Sequence, residues 1–347
     1  MSGITSDAIT LAHGAGGAAM DELITTVFRP AFDNPWLNEG EDQARLPLAE
    51  LLQNPADRLA VTTDSYVITP LEFPGGDIGR LAVCGTLNDL AVGGATPRYL
   101  SAGFILEEGL SIPLLRRVVA SMQQVAAAQG VVIVTGDTKV VPRGHGGELY
   151  INTTGIGVIP AECQLSQTAI CPGDKLIVNG PVGNHGAVIA DVRESLGFVS
   201  DLQSDCACLY PLINTILAEF PGQIRCLRDA TRGGLAAVAN EFARAAGMHL
   251  QFDESHVPVA DPVTAMCELL GFDPLYLANE GNALWVVDSS AADAVVARMY
   301  ALNTGSRAAV VGSVLDRCEK GRVTVRNALG TARLLDLPMG ELLPRIC

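Results

Sequence analysis

Leu59-Ala60-Val61-Thr62-Thr63 is a short run of apolar and β-branched residues that predicts a buried strand, and an acid, Asp64, follows it directly. Residues 77–92 carry their apolar side chains at helical spacing and therefore predict a helix. A second strand is predicted over residues 99–106, where apolar and aromatic residues return. This order of strand, helix and strand indicates a sheet covered by helices.

The same alternation continues to residue 159. Ser111 caps a predicted helix that runs to residue 129 and stops at Gly130. Short apolar runs predict two further strands, at residues 131–134 and 149–158. We therefore expect residues 1–160 to form one domain of mixed sheet and helices, of the α/β (α+β) class.

A break in this pattern at residues 160–173, with Pro172-Gly173 as a turn signal, predicts a domain boundary. Beyond the break, the alternation of strand and helix signals returns. Strands are predicted at residues 175–178, 224–227, 284–287 and 308–314, and helices at 184–196, at 234–246 and after 290. We expect residues 170–336 to form a second α/β domain.

The composition limits the classes of partner. The chain has 347 residues, 48% of them hydrophobic, so two domains with real cores are expected. A net charge of −15 argues against nucleic acid, because binding a phosphate backbone requires many Lys and Arg residues. No apolar stretch approaches the ~18–20 residues that span a bilayer. The N-terminus lacks a secretory pattern, and the nine cysteines form no regular ladder, so we expect a cytoplasmic protein.

The last residue of the chain is a cysteine, in Pro344-Arg345-Ile346-Cys347. The prolines at 338 and 344 disfavour helix and sheet, so residues 337–347 are predicted to form a flexible tail. At ~3.3–3.6 Å per residue this tail reaches roughly 36–40 Å, enough to cross a domain. A prenylation signal is excluded, because the cysteine is not fourth from the end. A spare surface thiol remains the simpler alternative.

A glycine-rich turn, His13-Gly14-Ala15-Gly16-Gly17, precedes an amphipathic segment near the N-terminus. Adjacent glycines let backbone amides approach phosphate oxygens, and a helix N-terminus that follows them favours anions. No Gly-Lys-Ser/Thr follows, so this is not a P-loop. A phosphate-binding loop and an ordinary tight turn both fit.

Three acids fall on or beside the elements of the first predicted sheet: Asp64, Asp89 and Asp137. Mg²⁺ bound with a triphosphate is held by a few carboxylates together with the phosphate oxygens. Each acid alone is better explained as a capping or turn residue. Three on one sheet favour a metal–nucleotide site.

The second domain adds two polar turns, Arg228-Asp229-Ala230-Thr231-Arg232-Gly233-Gly234 and Asn279-Glu280-Gly281. An arginine-flanked glycine turn that opens a helix is typical of a phosphate cradle, although an ordinary surface turn explains it as well. From the residues alone, the chain is interpreted as a nucleotide-dependent enzyme with a thiol-bearing arm.

Seven motifs, in their order along the chain, together resemble the HypE family of hydrogenase maturation proteins. They are His13-Gly14-Ala15-Gly16-Gly17, Thr63-Asp64-Ser65-Tyr66-Val67, Cys84-Gly85-Thr86-Leu87-Asn88-Asp89, Gly136-Asp137-Thr138-Lys139, Asp229-Ala230-Thr231-Arg232-Gly233-Gly234, Asn279-Glu280-Gly281 and Pro344-Arg345-Ile346-Cys347. The glycine and aspartate motifs are shared with the wider aminoimidazole ribonucleotide synthetase-like (PurM-like) superfamily. The terminal Pro-Arg-Ile-Cys narrows the resemblance to HypE.

The resemblance implies a carbamoyl dehydratase. In the family, HypF loads a carbamoyl group onto the terminal cysteine, and ATP is used to remove water, which leaves S-cyanocysteine. The nitrile then passes to iron on the HypC–HypD complex, for the active site of [NiFe]-hydrogenase. The resemblance also implies a homodimer that pairs the N-terminal domains, with ATP and Mg²⁺ bound beside the pair.

Roles for individual residues follow from the resemblance. Asp64, Asp89 and Asp137 are assigned to Mg²⁺ and the phosphates, and Lys139 to the transferring phosphoryl or carbamoyl oxygen. Glu280 is the candidate base, with Asp89 as its competitor, and Cys347 carries the reacting group. The remaining residues assigned to ATP are Gly14, Gly16, Gly17, Thr138 and Arg232.

Two other functions stay open at the level of sequence. A small-molecule kinase or synthetase of the same superfamily would share every motif except the tail, and Cys347 would then be incidental. A non-catalytic assembly scaffold would bind iron or partner proteins through the thiol, with the nucleotide only switching its conformation.

Overall fold

The computed structural model describes residues 7–39, 43–52, 54–197, 201–303 and 307–337. The N-terminal part consists of short helical pieces, which begin with a 3₁₀ turn at Leu11–Gly14 and include a π-helical turn at Ile24–Phe28. The α-helical pieces are α1 (Ala18–Leu23), α2 (Arg29–Ala31), α3 (Pro35–Asn38) and α4 (Leu48–Leu51). Cys347 and the rest of the predicted tail beyond Leu337 lie outside the described residues.

The first sheet has four strands in the order β1-β6-β4-β5. Its strands are β1 (Arg58–Tyr66), β4 (Thr96–Glu107), β5 (Val132–Val141) and β6 (Leu149–Ile159), and a small hairpin of β2 (Glu72–Phe73) and β3 (Gly76–Asp77) lies between the first two in sequence. Strand β6 is antiparallel to both its neighbours, whereas β4 and β5 are parallel. The strand order therefore puts β1 and β5 at opposite edges.

Two long helices, α5 (Ile78–Val92) and α6 (Ile112–Ala128), form the layer beside this sheet. Helix α5 begins where predicted because Asp77 caps it, with its carboxylate accepting from the amides of Gly79 at 2.7 Å and Arg80 at 3.0 Å. Nearly every apolar side chain of α5 is buried, and with α6 it builds the first hydrophobic core. The start of α5 is therefore fixed tightly against the sheet.

The opposite face of the first sheet is covered only in part. Trp36 packs edge-on to Tyr99 there, with ring centroids 5.1 Å apart, next to residues of α4. Toward the β1 edge, Val61 remains 62% exposed and Leu59 49% exposed, and Ile105 of β4 is 43% exposed. Apolar side chains left open along a sheet face and edge mark a contact surface.

The second sheet has seven strands in the order β13-β12-β9-β11-β7-β10-β8. These are β7 (Lys175–Val178), β8 (Ile224–Asp229), β9 (Met248–Asp253), β10 (Ala283–Val287), β11 (Ala309–Arg317), β12 (Arg322–Arg326) and β13 (Ala332–Leu334). The accompanying helices are α7 (Asn184–Glu194), α8 (Tyr210–Glu219), α9 (Gly234–Ala246), α10 (Asp261–Leu270) and α11 (Ala292–Leu302). The predicted class, two mixed sheet-and-helix units, is confirmed, and the sheets are separated by residues 160–174.

Candidate active site

A group of acids converges where helix α5 faces the second domain. Asp89 lies near the end of α5, and the Thr62 hydroxyl of β1 donates a hydrogen bond to its Oδ2 at 2.9 Å. Asp64 is two residues further along β1, so it points to the same side of the sheet as Thr62. Burial raises the pKa of Asp89, and the negative charge of Asp64 raises it further.

The second domain contributes Asp229, the last residue of β8, to the same group. Burial raises the pKa of Asp229 to about 7, and the charges of Asp89 and then Asp64 add to the shift. Two cations offset this repulsion, because Arg228 and Arg232 lower the pKa of Asp89. The side chains of Asp64, Asp89 and Asp229 therefore share one electrostatic environment, although residues 64 and 229 are far apart in sequence.

Glu280 lies beside these acids and is itself buried. Burial raises its pKa well above the ordinary value, with further contributions from the charges of Asp205 and then Asp229. A carboxyl whose pKa is raised in this way is suited to take a proton at neutral pH. The arrangement thus combines a set of carboxylates that can attract a cation with a candidate general base.

Replacing Asp229 by Asn should raise the free energy of unfolding at about pH 8 and flatten its dependence on pH. The pKa of Asp229 rises on folding from 3.8 to about 7, so its stabilising contribution is complete at acidic pH and is lost as the pH rises through about 7. A shift of about three units corresponds to on the order of 4 kcal/mol. Urea unfolding of both proteins across this pH range measures the difference.

The matched control for this experiment is Asp201→Asn, which makes the same change at an exposed position of the same domain. It should leave the pH profile of stability unchanged. If the Asp229 variant were less stable than the wild type at about pH 8, the burial cost assigned to this carboxylate would be refuted.

The glycine loop and Asp137 form a second group, at the β5 edge. Gly14 packs so closely on β5 that an added Cβ would lie 2.7 Å from Cβ of Val140. Lys139 and Asp137 form an exposed ion pair at 2.7 Å, and this contact lowers the pKa of Asp137. Gly16 has a φ of +75°, which favours glycine, and Gly17 precedes α1.

An apolar cavity of about 180 Å³ adjoins this second group. It lies between the N-terminal helices and the sheet, with Phe28, Phe104 and Ile133 among its walls. Gly136, Asp137 and Thr138 form its polar side. Because Arg29 also lines it, the pocket can take a molecule with a flat apolar part and an anionic part.

The two groups are separate within one chain. Asp64 pairs across the sheet with Thr153, whose hydroxyl donates to the carbonyl of Ala82 in α5, so Asp64 is on the helix-covered face. Asp137 and Asn152 both pair with Gly103 of β4, so their side chains are on the same face of the sheet. Asn152 is the neighbour of Thr153, and this face is therefore the one opposite to Asp64. The edges are three strand spacings apart, roughly 14 Å. Strand order and the alternation of side chains therefore separate Asp137 from Asp64 and Asp89 within one chain.

The first group of acids can supply part of the ligand shell of Mg²⁺. Within the ranges that the structure describes, no three acidic, histidine or cysteine side chains are close enough to hold a metal ion by themselves. Mg²⁺ bound with a nucleotide takes only one or two carboxylates, and phosphates and water complete its shell. Asp64, Asp89 and Asp229 fit that partial role, and Arg232 is an exposed cation close to them.

Asp229 lies within a motif noted in the sequence, but no role was predicted for it. Its position just after a predicted strand, like that of Asp64, was the signal that could have identified it. Asp205 and Asn88, which contact the Glu280 loop, carried no such signal.

In the described part of the chain, every helix is too short or too polar to cross a lipid bilayer.

Comparisons with known proteins agree with this architecture. The N-terminal domain of AIR synthase related proteins matches residues 40–159, and the C-terminal domain of the same proteins matches residues 171–324. The chain is 53% identical over 339 residues to "Carbamoyl dehydratase HypE" from Escherichia coli (strain K12), which covers 98% of this chain and 99% of that protein.

Two solved structures are also similar. "Crystal Structure of Hydrogenase Maturation Protein HypE in complex with ATP" superposes with a TM-score of 0.89 at 46% identity, over 97% of this chain and 99% of that one. "Crystal structure of HypE-HypF complex" has a TM-score of 0.78 at 39% identity, over 93% and 100% of the two chains. Similarity at this level over the whole length establishes the family: this chain belongs to the HypE carbamoyl dehydratases, within the AIR synthase related proteins.

Proposed function

We propose that this chain is an ATP-dependent carbamoyl dehydratase that converts an S-carbamoyl group on Cys347 into S-cyanocysteine, the source of the cyanide ligand for the iron of [NiFe]-hydrogenase. The observation that carries the proposal is the buried carboxyl of Glu280 beside Asp229 and Asp64, in a chain of the HypE family. The site combines a candidate base, Glu280, with a group of acids that can bind a cation.

The reaction requires an oxygen to leave a thiocarbamate. Hydroxide is a poor leaving group, because the pKa of water is ~15.7. The carbamoyl oxygen therefore takes up the γ-phosphoryl group of ATP, with release of ADP and one N–H proton. Loss of the second N–H proton and of phosphate then gives the nitrile. The balance is one carbamoyl group and one ATP converted into one nitrile, ADP, hydrogen phosphate and one released proton.

Each group of residues has a defined part in this scheme. Asp64, Asp89 and Asp229 would hold Mg²⁺, and the metal would neutralise charge on the phosphate oxygens. Arg232 contacts a phosphate directly. Glu280 takes a proton from the carbamoyl nitrogen, and its buried position keeps water from the activated group.

The glycine loop, Asp137, Thr138 and Lys139 complete the site from a second copy of the chain. Support for this comes from their distance from Asp64 within one chain and from the open apolar side chains of Leu59, Val61 and Ile105. If the exposed faces of the two first sheets pack together in a homodimer, the β5 edge of one subunit lies against the β1 edge of its partner. Lys139 of one subunit then balances charge on the oxygen that is phosphorylated in the other.

The partners follow from the direction of transfer. A carbamoyltransferase such as HypF must load Cys347, and a complex of HypF with a HypE protein supports this pairing. The cyanide is then delivered to iron on HypC–HypD, and the whole sequence takes place in the cytoplasm. These assignments place the chain between a carbamoyl donor and an iron acceptor.

Intact-mass spectrometry of the carbamoylated protein tests the function. Addition of Mg-ATP should remove about 18 Da, the mass of one water, and peptide mapping should locate the loss on Cys347. A non-hydrolysable ATP analogue is the control and should leave the mass unchanged.

The two alternative functions give other results in the same experiment. A small-molecule kinase would turn over ATP equally well after Cys347→Ala. A thiol-bearing scaffold would bind Mg-ATP without any change in the mass of the C-terminal peptide. Either result would refute the dehydratase.

A further inference from the structure

An irregular segment, residues 204–209, lies between the two domains and hydrogen-bonds to both. On the side of the first domain, Asn88 of α5 makes two of these contacts. Its Nδ2 donates to the carbonyl of Ala207 at 3.0 Å, and its Oδ1 accepts from the amide of Leu209 at 2.7 Å. The segment is therefore fixed to the helix that also carries Asp89.

On the other side of the segment, the carboxylate of Asp205 holds the loop that carries Glu280. Its Oδ2 accepts from the amides of Glu280 at 3.2 Å and Gly281 at 3.1 Å, and its Oδ1 accepts from the amide of His185 at 3.1 Å. The loop lies so close that a Cβ at Gly281 would be 1.9 Å from the carbonyl oxygen of Asp205. One side chain thus satisfies three backbone amides from two separate elements.

The carbonyl of Glu280 is held as well. It accepts from Nδ2 of Asn88 at 3.3 Å and from the amide of Ala207 at 3.4 Å. Both polar groups of the Glu280 main chain are therefore bound by the interdomain segment or by the helix behind it. A residue whose main chain is fixed at both ends has few positions left for its side chain.

We propose that Asp205 is a positioning residue for the dehydration: its carboxylate fixes the main chain of Glu280, and so places the Glu280 side chain against the reacting group. The inference rests on the proposed function and adds to it a residue that acts through Glu280.

The chemistry of the contact explains why an aspartate is needed. Hydrogen bonds to an ionised acceptor are stronger than those between neutral groups. Asparagine keeps one acceptor oxygen but turns an N–H₂ group toward one of the amides, and alanine leaves all three amides without their acceptor. A displacement of the base by about 1 Å is enough to slow a reaction roughly 100-fold.

The experiment compares Asp205→Asn and Asp205→Ala with Asp201→Asn, a matched change at an exposed position of the same stretch of chain. Each full-length protein is carbamoylated, and two quantities are measured. The first is the single-turnover rate of water loss at saturating Mg-ATP, followed by intact mass. The second is the dissociation constant for ATP.

The expected result is a rate at least about tenfold lower for Asp205→Asn and on the order of 100-fold lower for Asp205→Ala, with ATP affinity within about threefold of the wild type. Rates for both variants equal to that of Asp201→Asn would overturn the inference. So would a parallel loss of rate and ATP affinity, which indicates a general structural role. A wild-type protein that loses no water would instead overturn the proposed function itself, and Asp205→Asn keeps the test open if Asp205→Ala does not fold.

Discussion

Mixed dimers that combine two inactive variants, Asp89→Asn and Asp137→Asn, should recover about half of the wild-type rate of dehydration. Each variant alone should be about 100- to 1,000-fold slower, because in the proposed site each loses a charged group that would hold the phosphates or balance their charge. In a mixed dimer, one site combines the intact Asp89 half of one subunit with the intact Asp137 half of its partner. The other site carries both substitutions and stays inactive.

The reason lies in the strand order of the first sheet. Asp89 lies on α5 beside the β1 edge, whereas Asp137 lies on the β5 edge and on the opposite face. A single chain cannot bring the two together without taking the sheet apart. A twofold dimer can, because it repeats both halves with their positions exchanged.

The measurement uses two differently tagged variants that are co-expressed, so that mixed dimers are purified through both tags before carbamoylation. The matched control mixes Asp89→Asn with Asp64→Asn, which damage the same half. That mixture should remain inactive, because each of the two sites still lacks either Asp64 or Asp89. Purified mixed dimers of Asp89→Asn and Asp137→Asn that remain inactive would show that the site is not shared between subunits.

Replacing Glu280 by Gln should slow water loss by about 100- to 10,000-fold and leave ATP binding nearly unchanged. Glutamine has nearly the same size and still fills the buried position, but it cannot take the proton from the carbamoyl nitrogen. Single-turnover mass spectrometry and ATP binding, measured on the same preparation, separate the chemical step from the binding step.

The pH dependence gives a second measurement on Glu280. Burial, followed by the charges of Asp205 and Asp229, raises the pKa of this carboxyl well above its ordinary value. Only the ionised form can act as a base, so the wild-type rate should increase with pH as Glu280 loses its proton. The small residual rate of the Gln variant should lack this increase.

The control for this prediction is Glu268→Gln, which makes the same change at an exposed position of α10. It should keep the wild-type rate and pH profile. A Glu280→Gln protein that dehydrates its carbamoyl group at a normal rate would move the role of base to Asp89, the competing candidate.

Local patterns were enough to predict the first sheet. Runs of apolar and β-branched residues predicted strands that overlap β1, β4, β5 and β6, although only the first three residues of β5 were included, and caps at 77 and 111 mark the beginnings of α5 and α6. The second sheet was predicted less completely, because β9, β12 and β13 were missed. Strand β12 is held by a parallel pairing with β9, a partner some 70 residues away, and no local signal reports such a contact.

The chemical groups of the site can be identified from residue types alone: the acids at 64 and 89, the glutamate at 280, the glycine turn and the terminal thiol. Which of these groups lie close together depends on the folded chain. In the fold, Asp229 lies close to Asp64 and Asp89, Asp137 lies at the far edge of the first sheet, and Asp205 accepts a hydrogen bond from the amide of Glu280. The physical reason is that residue type and spacing are local properties, whereas strand order and facing are set by which distant segments bury their apolar surfaces together.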